Sequence, residues 1–207
     1  MKFILIFMIG MLFFYANIVA TDLVTKKVIS QAEKKYGKFS KNRFLDMDKA
    51  LLKKLKSQST AKKLNTVNNW VNYIKYKSDK KVYGVKDYWA TLYEFVGKGK
   101  GDCEDYTIAK YYILKELGVD PKRMKFAYVV YKDRRGKKVS HMVLAYLKKK
   151  KPKSRKDILI LDNNNKKILP ASKRKDIIKV VKLINGDTGA KSKKWKKLEA
   201  GMKRKKL

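Results

Sequence analysis

The chain has 207 residues, with 54 Lys plus Arg against 18 Asp plus Glu and a formal net charge of +36. That length suits one domain able to bury a core without disulfide or metal staples, and 44% hydrophobic with 12% aromatic residues excludes a disordered basic tail protein. The charge resembles the footprint of a nucleic-acid binder, but lysines spread over the whole chain also read as a solvated cationic surface, so the smallest counts, one Cys and one His, are the more informative.

Lys2 precedes an almost unbroken apolar run, Phe3 to Tyr15, and the stretch closes on the small Ala20 before Thr21 and Asp22. A positive start, an apolar middle and a small residue at the end predict a secretory signal peptide over residues 1–20, cleaved after Ala20. The alternative is an uncleaved anchor, since about 18 apolar residues suffice to span a bilayer; only then is a membrane an expected partner. Either way the remainder is expected outside the cytoplasm, where nucleic acid is not an expected partner. Residues 21–186 form the expected domain, and 187–207 a basic tail or helix anchored by Trp195 and Leu198.

From Leu23 to Tyr36 the apolar positions Val24, Val28, Ala32 and Tyr36 predict a helix ended by Gly37. A second pattern starts near Asp46 and runs through Leu51, Leu52 and Leu55; a third runs from Thr60 through Leu64, Val67, Trp70, Val71 and Ile74. Asp87 is expected to cap a short segment carrying Trp89, Leu92, Tyr93 and Val96, broken by the glycines between Gly97 and Gly101. Asp102-Cys103-Glu104-Asp105 then opens a helix over Ile108, Ala109, Tyr112, Ile113 and Leu117, stopped by Gly118. The period next changes to two. Phe126 to Tyr131, a turn at Asp133 to Gly136, Val139 to Leu147 and Ile158 to Leu161 predict antiparallel strands after helices, an α+β order.

Cys103 sits after a glycine loop in the first turn of its helix, where free N–H groups and the macrodipole favour a thiolate. A lone thiol in an exported chain is otherwise a liability. Asp102 reads as the N-cap with Asp105 three residues on. His141 is the one available imidazole base. Asp162 closes the next strand. If those strands pair with a constant residue sum of 303, the turn centres between Lys151 and Pro152 and Asp162 lies opposite His141, able to orient its ring. A helix-borne Cys, a strand-borne His and an Asp on the next strand, in that order, match the papain and transglutaminase arrangement of a nucleophile helix packed on an antiparallel sheet.

At these residues the chain resembles a known family, the bacterial transglutaminase-like cysteine peptidases of the LapG type, periplasmic adhesin proteases. The resembling segments are Val67 to Asn72, Asp87 to Thr91 with Glu94, the run GKGDCEDYTIAK from Gly99 to Lys110, His141 to Leu144, and Leu161-Asp162-Asn163. They span roughly Leu64 to Asp176. The resemblance implies Cys103 as nucleophile, His141 as base and Asp162 as third member of a triad. It implies Ca²⁺ held by Asp102 and Glu104, with Asp105 a weaker candidate; carboxylate oxygens are suitable hard ligands. It further implies periplasmic cleavage of the N-terminal region of a large surface adhesin, controlling biofilm release, and a partner in an inner-membrane cyclic di-GMP receptor that sequesters the enzyme. Leu92 departs from the family, which usually has Pro there, and the segment after Asn185 lacks a clear family ending. Two competing expectations are acyl transfer to an amine by the same triad, as in true transglutaminases, and a non-catalytic basic module binding envelope polymers through the Lys148–Lys156 loop and the Lys-rich tail.

Overall fold

The computed structural model describes residues 23–185 and 193–207. The expected signal peptide, residues 1–20, lies outside the described residues, among which no helix is long and apolar enough to cross a membrane.

The amino-terminal half is helical, as its period requires. Helix α1 (Lys26–Tyr36) starts where the Thr25 hydroxyl accepts from the Val28 N–H at 3.2 Å, and it ends at Gly37, whose φ of 81° is costly for any side chain. The next helix does not start near Asp46. It begins at once as α2 (Lys38–Asp46) and continues through a π-helical segment, Met47–Lys53. Phe44, Met47, Leu51 and Leu55 are all buried along it; only the second half of that stripe stands out in the sequence, because Arg43 and Asn42 break up the first. Helix α3 (Thr60–Asn72) is capped by Ser59 and buries Leu64, Val67 and Val71.

Beyond α3 the chain forms β1 (Lys75–Tyr76), the short α4 (Asp79–Tyr83), an extended stretch, and α5 (Leu92–Lys98). Asp87 does not cap α5. Its carboxylate reaches outward to Lys194, while Thr91 takes the cap in a reciprocal box with Glu94: Glu94 N–H donates to Thr91 Oγ1, and Thr91 N–H to Glu94 Oε2, both at 3.0 Å. Trp89 and Ala90 are buried in the extended stretch that precedes this cap.

Strand β2 (Lys100–Gly101) pairs in parallel with β1 and hands the chain directly to α6 (Cys103–Glu116). Gly101 is obligatory there, because an added Cβ would lie 2.4 Å from Asp105 Oδ2 and 2.6 Å from the Phe95 ring. Helix α6 packs against α3 and against the sheet.

The sheet has five antiparallel strands in the order β6-β5-β4-β3-β7: β3 (Met124–Lys132), β4 (Lys138–Leu147), β5 (Ile158–Leu161), β6 (Leu169–Pro170) and β7 (Ile177–Asn185). Strand β7 was not anticipated, its lysines having masked a run of Ile and Val. The β4–β5 register differs from expectation as well. Leu144 faces Leu161 and Ala145 faces Ile160, a constant sum of 305, so the strands are slipped by two residues. A slip of two keeps every side chain on its face; Asp162 stands opposite Val143, on the diagonal from His141.

Helix α7 (Lys193–Lys203) closes the main core. Trp195, Leu198 and Met202 are buried, and the Trp195 ring meets Trp89, Tyr111 and Phe126 edge-on at 5.2 to 6.4 Å. The basic carboxyl-terminal segment is therefore an integral helix with a buried apolar face, held also by the Thr91 hydroxyl donating to the Lys206 carbonyl at 2.7 Å.

Candidate active site and metal centre

Cys103 is the first residue of α6, with its helix end against β4. Thr107, one turn on, donates to the Cys103 carbonyl at 2.8 Å and lies 3.2 Å from the Met142 carbonyl, tying the helix start to the strand residue after His141. The thiol itself donates to Glu104 Oε2 at 2.9 Å rather than to His141. Its burial, and then the Glu104 and Asp102 charges, push the thiol up, opposite to the thiolate expected from the helix end alone. The helix dipole is a fraction of a charge, whereas two carboxylates stand beside the sulfur, so the acids win while nothing neutralises them.

His141 and Asp162 meet despite the slipped register: Nε2 to Oδ1 is 2.7 Å, with both side chains buried. The Tyr131 ring covers the imidazole at 5.0 Å. Asp162 is held on every side. Its Oδ1 also accepts from the Asn164 N–H at 2.8 Å, and its Oδ2 accepts from Arg174 Nη2 at 2.7 Å. Its carbonyl accepts from Asn72 Nδ2 at 2.8 Å, and Asn68 Nδ2 donates to the Lys166 carbonyl at 3.0 Å, so α3 clamps the turn that carries the carboxylate. Burial alone would raise the Asp162 carboxyl, but the hydrogen bond and charge of His141 and the charge of Arg174 outweigh it and hold it at about 2.

Arg174 was not singled out in the sequence. It is 1% exposed, and a fork of bonds also joins it to Asp176, Nε to Oδ1 at 2.8 Å and Nη2 to Oδ2 at 2.6 Å. Only the spacing Arg174-Lys175-Asp176 hints at this pair, and nothing in it points to Asp162. Lys110 is a second missed charge: buried two turns after Cys103, it is pushed down to about 7 by burial, with Asp162 acting in the opposite direction.

The acids around Cys103 divide. Asp79, Asp102 and Glu104 each offer an oxygen, and these oxygens lie within 4.8 Å of one another. Asp79 was missed because it stands 23 residues before Asp102 in a lysine-rich turn; the β1–β2 pairing brings the two segments together. Its N–H donates to Asp102 Oδ2 at 3.2 Å, and its own Oδ2 accepts from the Tyr88 N–H at 2.5 Å. The second oxygens, Asp79 Oδ1 and Asp102 Oδ1, are buried without a hydrogen-bond partner among the described residues. Burial and then the Glu104 and Asp79 charges push Asp102 up to about 8, and burial raises Asp79. Buried carboxylates that repel one another and leave oxygens unpaired suit a hard divalent cation. Asp105, expected as a possible third ligand, is set apart from this group. Its oxygens accept from the Ala90 N–H at 2.9 Å and the Asp102 N–H at 3.3 Å, a helix-start and strap role.

A cleft of about 300 Å³ opens beside His141, walled by Trp89, Tyr128, Val181, Lys182 and Lys194. Cys103 at a helix start, His141 in a strand and Asp162 after the next strand are the residue types that thiol-based acyl chemistry uses.

A family model described as bacterial transglutaminase-like cysteine proteinase matches residues 33–203. Among solved structures the chain is similar to Legionella pneumophila LapG, at 32% identity over 87% of this chain and 96% of that one, with a TM-score of 0.68. It is similar also to the calcium-bound form of the same protein (29%, 86% and 99%, TM-score 0.66) and to an EGTA-treated form (31%, 87% and 96%, TM-score 0.69). Among curated proteins none matches.

Proposed function

This chain belongs to the bacterial transglutaminase-like cysteine proteinases, and we propose that it is a calcium-dependent periplasmic endopeptidase using Cys103, His141 and Asp162. The observation that carries this reading is the His141–Asp162 pair at 2.7 Å, with the neighbouring strand residue Met142 tied through Thr107 to the start of the Cys103 helix. Cys103 Sγ attacks a peptide carbonyl while His141 takes the thiol proton. His141 then returns that proton to the leaving amine, giving a thioester. Water, deprotonated by His141, attacks the thioester and releases the acid and the free thiol. The Cys103 backbone N–H, free at the helix start, is one donor for the oxyanion. Asp162 keeps the ring oriented and stabilises its charged form.

Ca²⁺ fits the group of Asp79, Asp102 and Glu104, and when bound it supplies positive charge next to the nucleophile. The calcium-bound relative supports this assignment. Glu104 cannot serve fully both the cation and the thiol, so a bound cation would compete with Cys103 for its carboxylate. The resemblance to LapG-type adhesin proteases supports a substrate in the N-terminal region of a large surface adhesin, a role in biofilm release, and regulation by an inner-membrane cyclic di-GMP receptor. The apolar segment 1–20 supports export.

The test is cleavage of a purified adhesin N-terminal fragment by the parent chain and by Cys103→Ala, in calcium and in excess EGTA. The parent in calcium should give two fragments with unmodified ends. Cleavage retained by Cys103→Ala would sink the nucleophile, full activity in EGTA would remove the metal, and isopeptide-linked products would replace hydrolysis by acyl transfer.

A further inference from the structure

The sheet ends on β7, and the outer edge of that strand pairs with no other strand among the described residues. Six consecutive residues, Ile178 to Leu183, are exposed, with Val180, Val181 and Leu183 each more than half so. Both faces of the strand are therefore open through its middle. An exposed apolar edge of this length is a template for pairing with another chain, and natural proteins shorten, charge or cover such edges. Lys179 and Lys182 add charge here, yet four apolar side chains stay exposed around them.

The position of this edge matters more than its composition. The β3–β7 pairing shifts register between Tyr128 and Val129, where β7 carries an extra residue, Val181. Val181, Lys182 and Ile184 line the same cleft as His141, together with Trp89 and Lys194. The unpaired edge and the cleft are thus continuous. The charges along this route are Lys179, Lys182 and Lys194, the last paired with Asp87.

We propose that β7 is the docking strand for an extended segment of the protein substrate, rich in apolar and acidic residues, which adds to the sheet as a further strand and leads the scissile peptide into the cleft beside His141. This deepens the proteinase reading and rests on it. Main-chain hydrogen bonds to the free edge supply affinity, the exposed Val and Leu side chains receive alternate apolar residues, and the lysines select and steer acidic ones.

Binding is measured by fluorescence anisotropy on the full chain carrying Cys103→Ala, which removes turnover. The probes are a labelled peptide alternating valine with aspartate, the same peptide with lysine for aspartate, and the aspartate peptide N-methylated at every amide, which leaves no N–H on either side to pair with a strand edge. The aspartate peptide should bind at least about tenfold more tightly than either control, roughly the 1.4 kcal/mol that a tenfold ratio represents. Lys179→Glu with Lys182→Glu, checked for an unchanged circular dichroism spectrum, should bring the lysine peptide level with it or ahead. Equal binding of the N-methylated peptide overturns edge pairing without relying on any variant's folding. A concentration-dependent dimer that Val181→Asp abolishes would give the edge to a second copy and overturn the substrate assignment, as would an edge occupied by residues 1–22 and freed by their removal. Failure to bind alongside normal cleavage by the parent sinks the docking strand alone; binding without any cleavage sinks the proteinase reading alone.

Discussion

Replacing Arg174 with Met removes the positive charge behind the Asp162 carboxylate while keeping most of the side-chain volume. The Arg174 side chain is 1% exposed and that of Asp162 is 0% exposed, so neither water nor salt substitutes for the lost partner. Breaking a buried pair by removing one member costs about 3 to 5 kcal/mol when the other charge is left uncompensated; Asp162 keeps His141 and the Asn164 N–H, so the loss should lie at the lower end, about 3 kcal/mol. At about 2 to 4 °C per kcal/mol for a chain of this size, the melting temperature at pH 7 should fall by roughly 6 to 12 °C. The pH dependence has a definite sign. Asp162 sits at about 2 in the folded chain, below its unfolded value near 4. A carboxyl depressed in this way stabilises the fold above its unfolded value, and that stability is lost as pH falls through about 2. The gap between parent and variant should therefore be full above about pH 5 and narrow towards pH 2, as the parent loses what the variant already lacks. Thermal unfolding followed by circular dichroism from pH 2 to 8 reads both effects. Asp162→Asn combined with Arg174→Met should regain much of the loss, since Asp176 has a side chain 40% exposed and can hydrate. A single variant as stable as the parent at pH 7, or a deficit that does not change with pH, refutes the reasoning.

Other perturbations separate the metal, the clamp and the closing helix. Calcium at a hundredfold excess over its Kd should stabilise the parent by about 2.7 kcal/mol; Asp79→Asn should abolish most of that thermal shift while raising the melting temperature in EGTA, and an undiminished shift removes Asp79 from the site. Asn72→Ala deletes the bond to the Asp162 carbonyl and should cost about 1 kcal/mol in urea unfolding, with a several-fold loss of kcat at nearly constant KM if the clamp positions the carboxylate. A chain ending at residue 192 loses the burial of Trp195, Leu198 and Met202, each worth about 1.5 to 3 kcal/mol, against a total stability of about 5 to 15 kcal/mol. It should lose its near-ultraviolet dichroism, and a sharp native transition in the truncated chain would contradict the integral role of α7.

The helices were legible where a buried stripe repeats without interruption, as in α1, α3 and α6. They were misplaced where it does not: the start of α2 is written in Phe44 and in residues with no apolar period, and Asp87 resembled a cap although the reciprocal box of Thr91 and Glu94 starts α5 four residues later. Pairing parity was legible too, since period two assigns faces whatever the register. His141 and Asp162 therefore meet although the strands are slipped by two residues from the expected alignment.

Short segments and single counts were enough for one Cys at a helix start, one His in a strand, an Asp at the end of the next, and acids crowded beside the Cys. These are local, because a cap, a turn or a two-residue period needs no distant partner. Which distant charges share a buried space is set by the packing of the folded chain. Asp79 joins Asp102 and Glu104 through a two-residue strand pairing, while Asp105 turns away to hold backbone N–H groups. Arg174 comes under Asp162, and β7 is left with a free edge beside the cleft. Buried charges interact over distance and dielectric rather than along the chain, so their partners emerge only once the core has excluded water and brought the segments together.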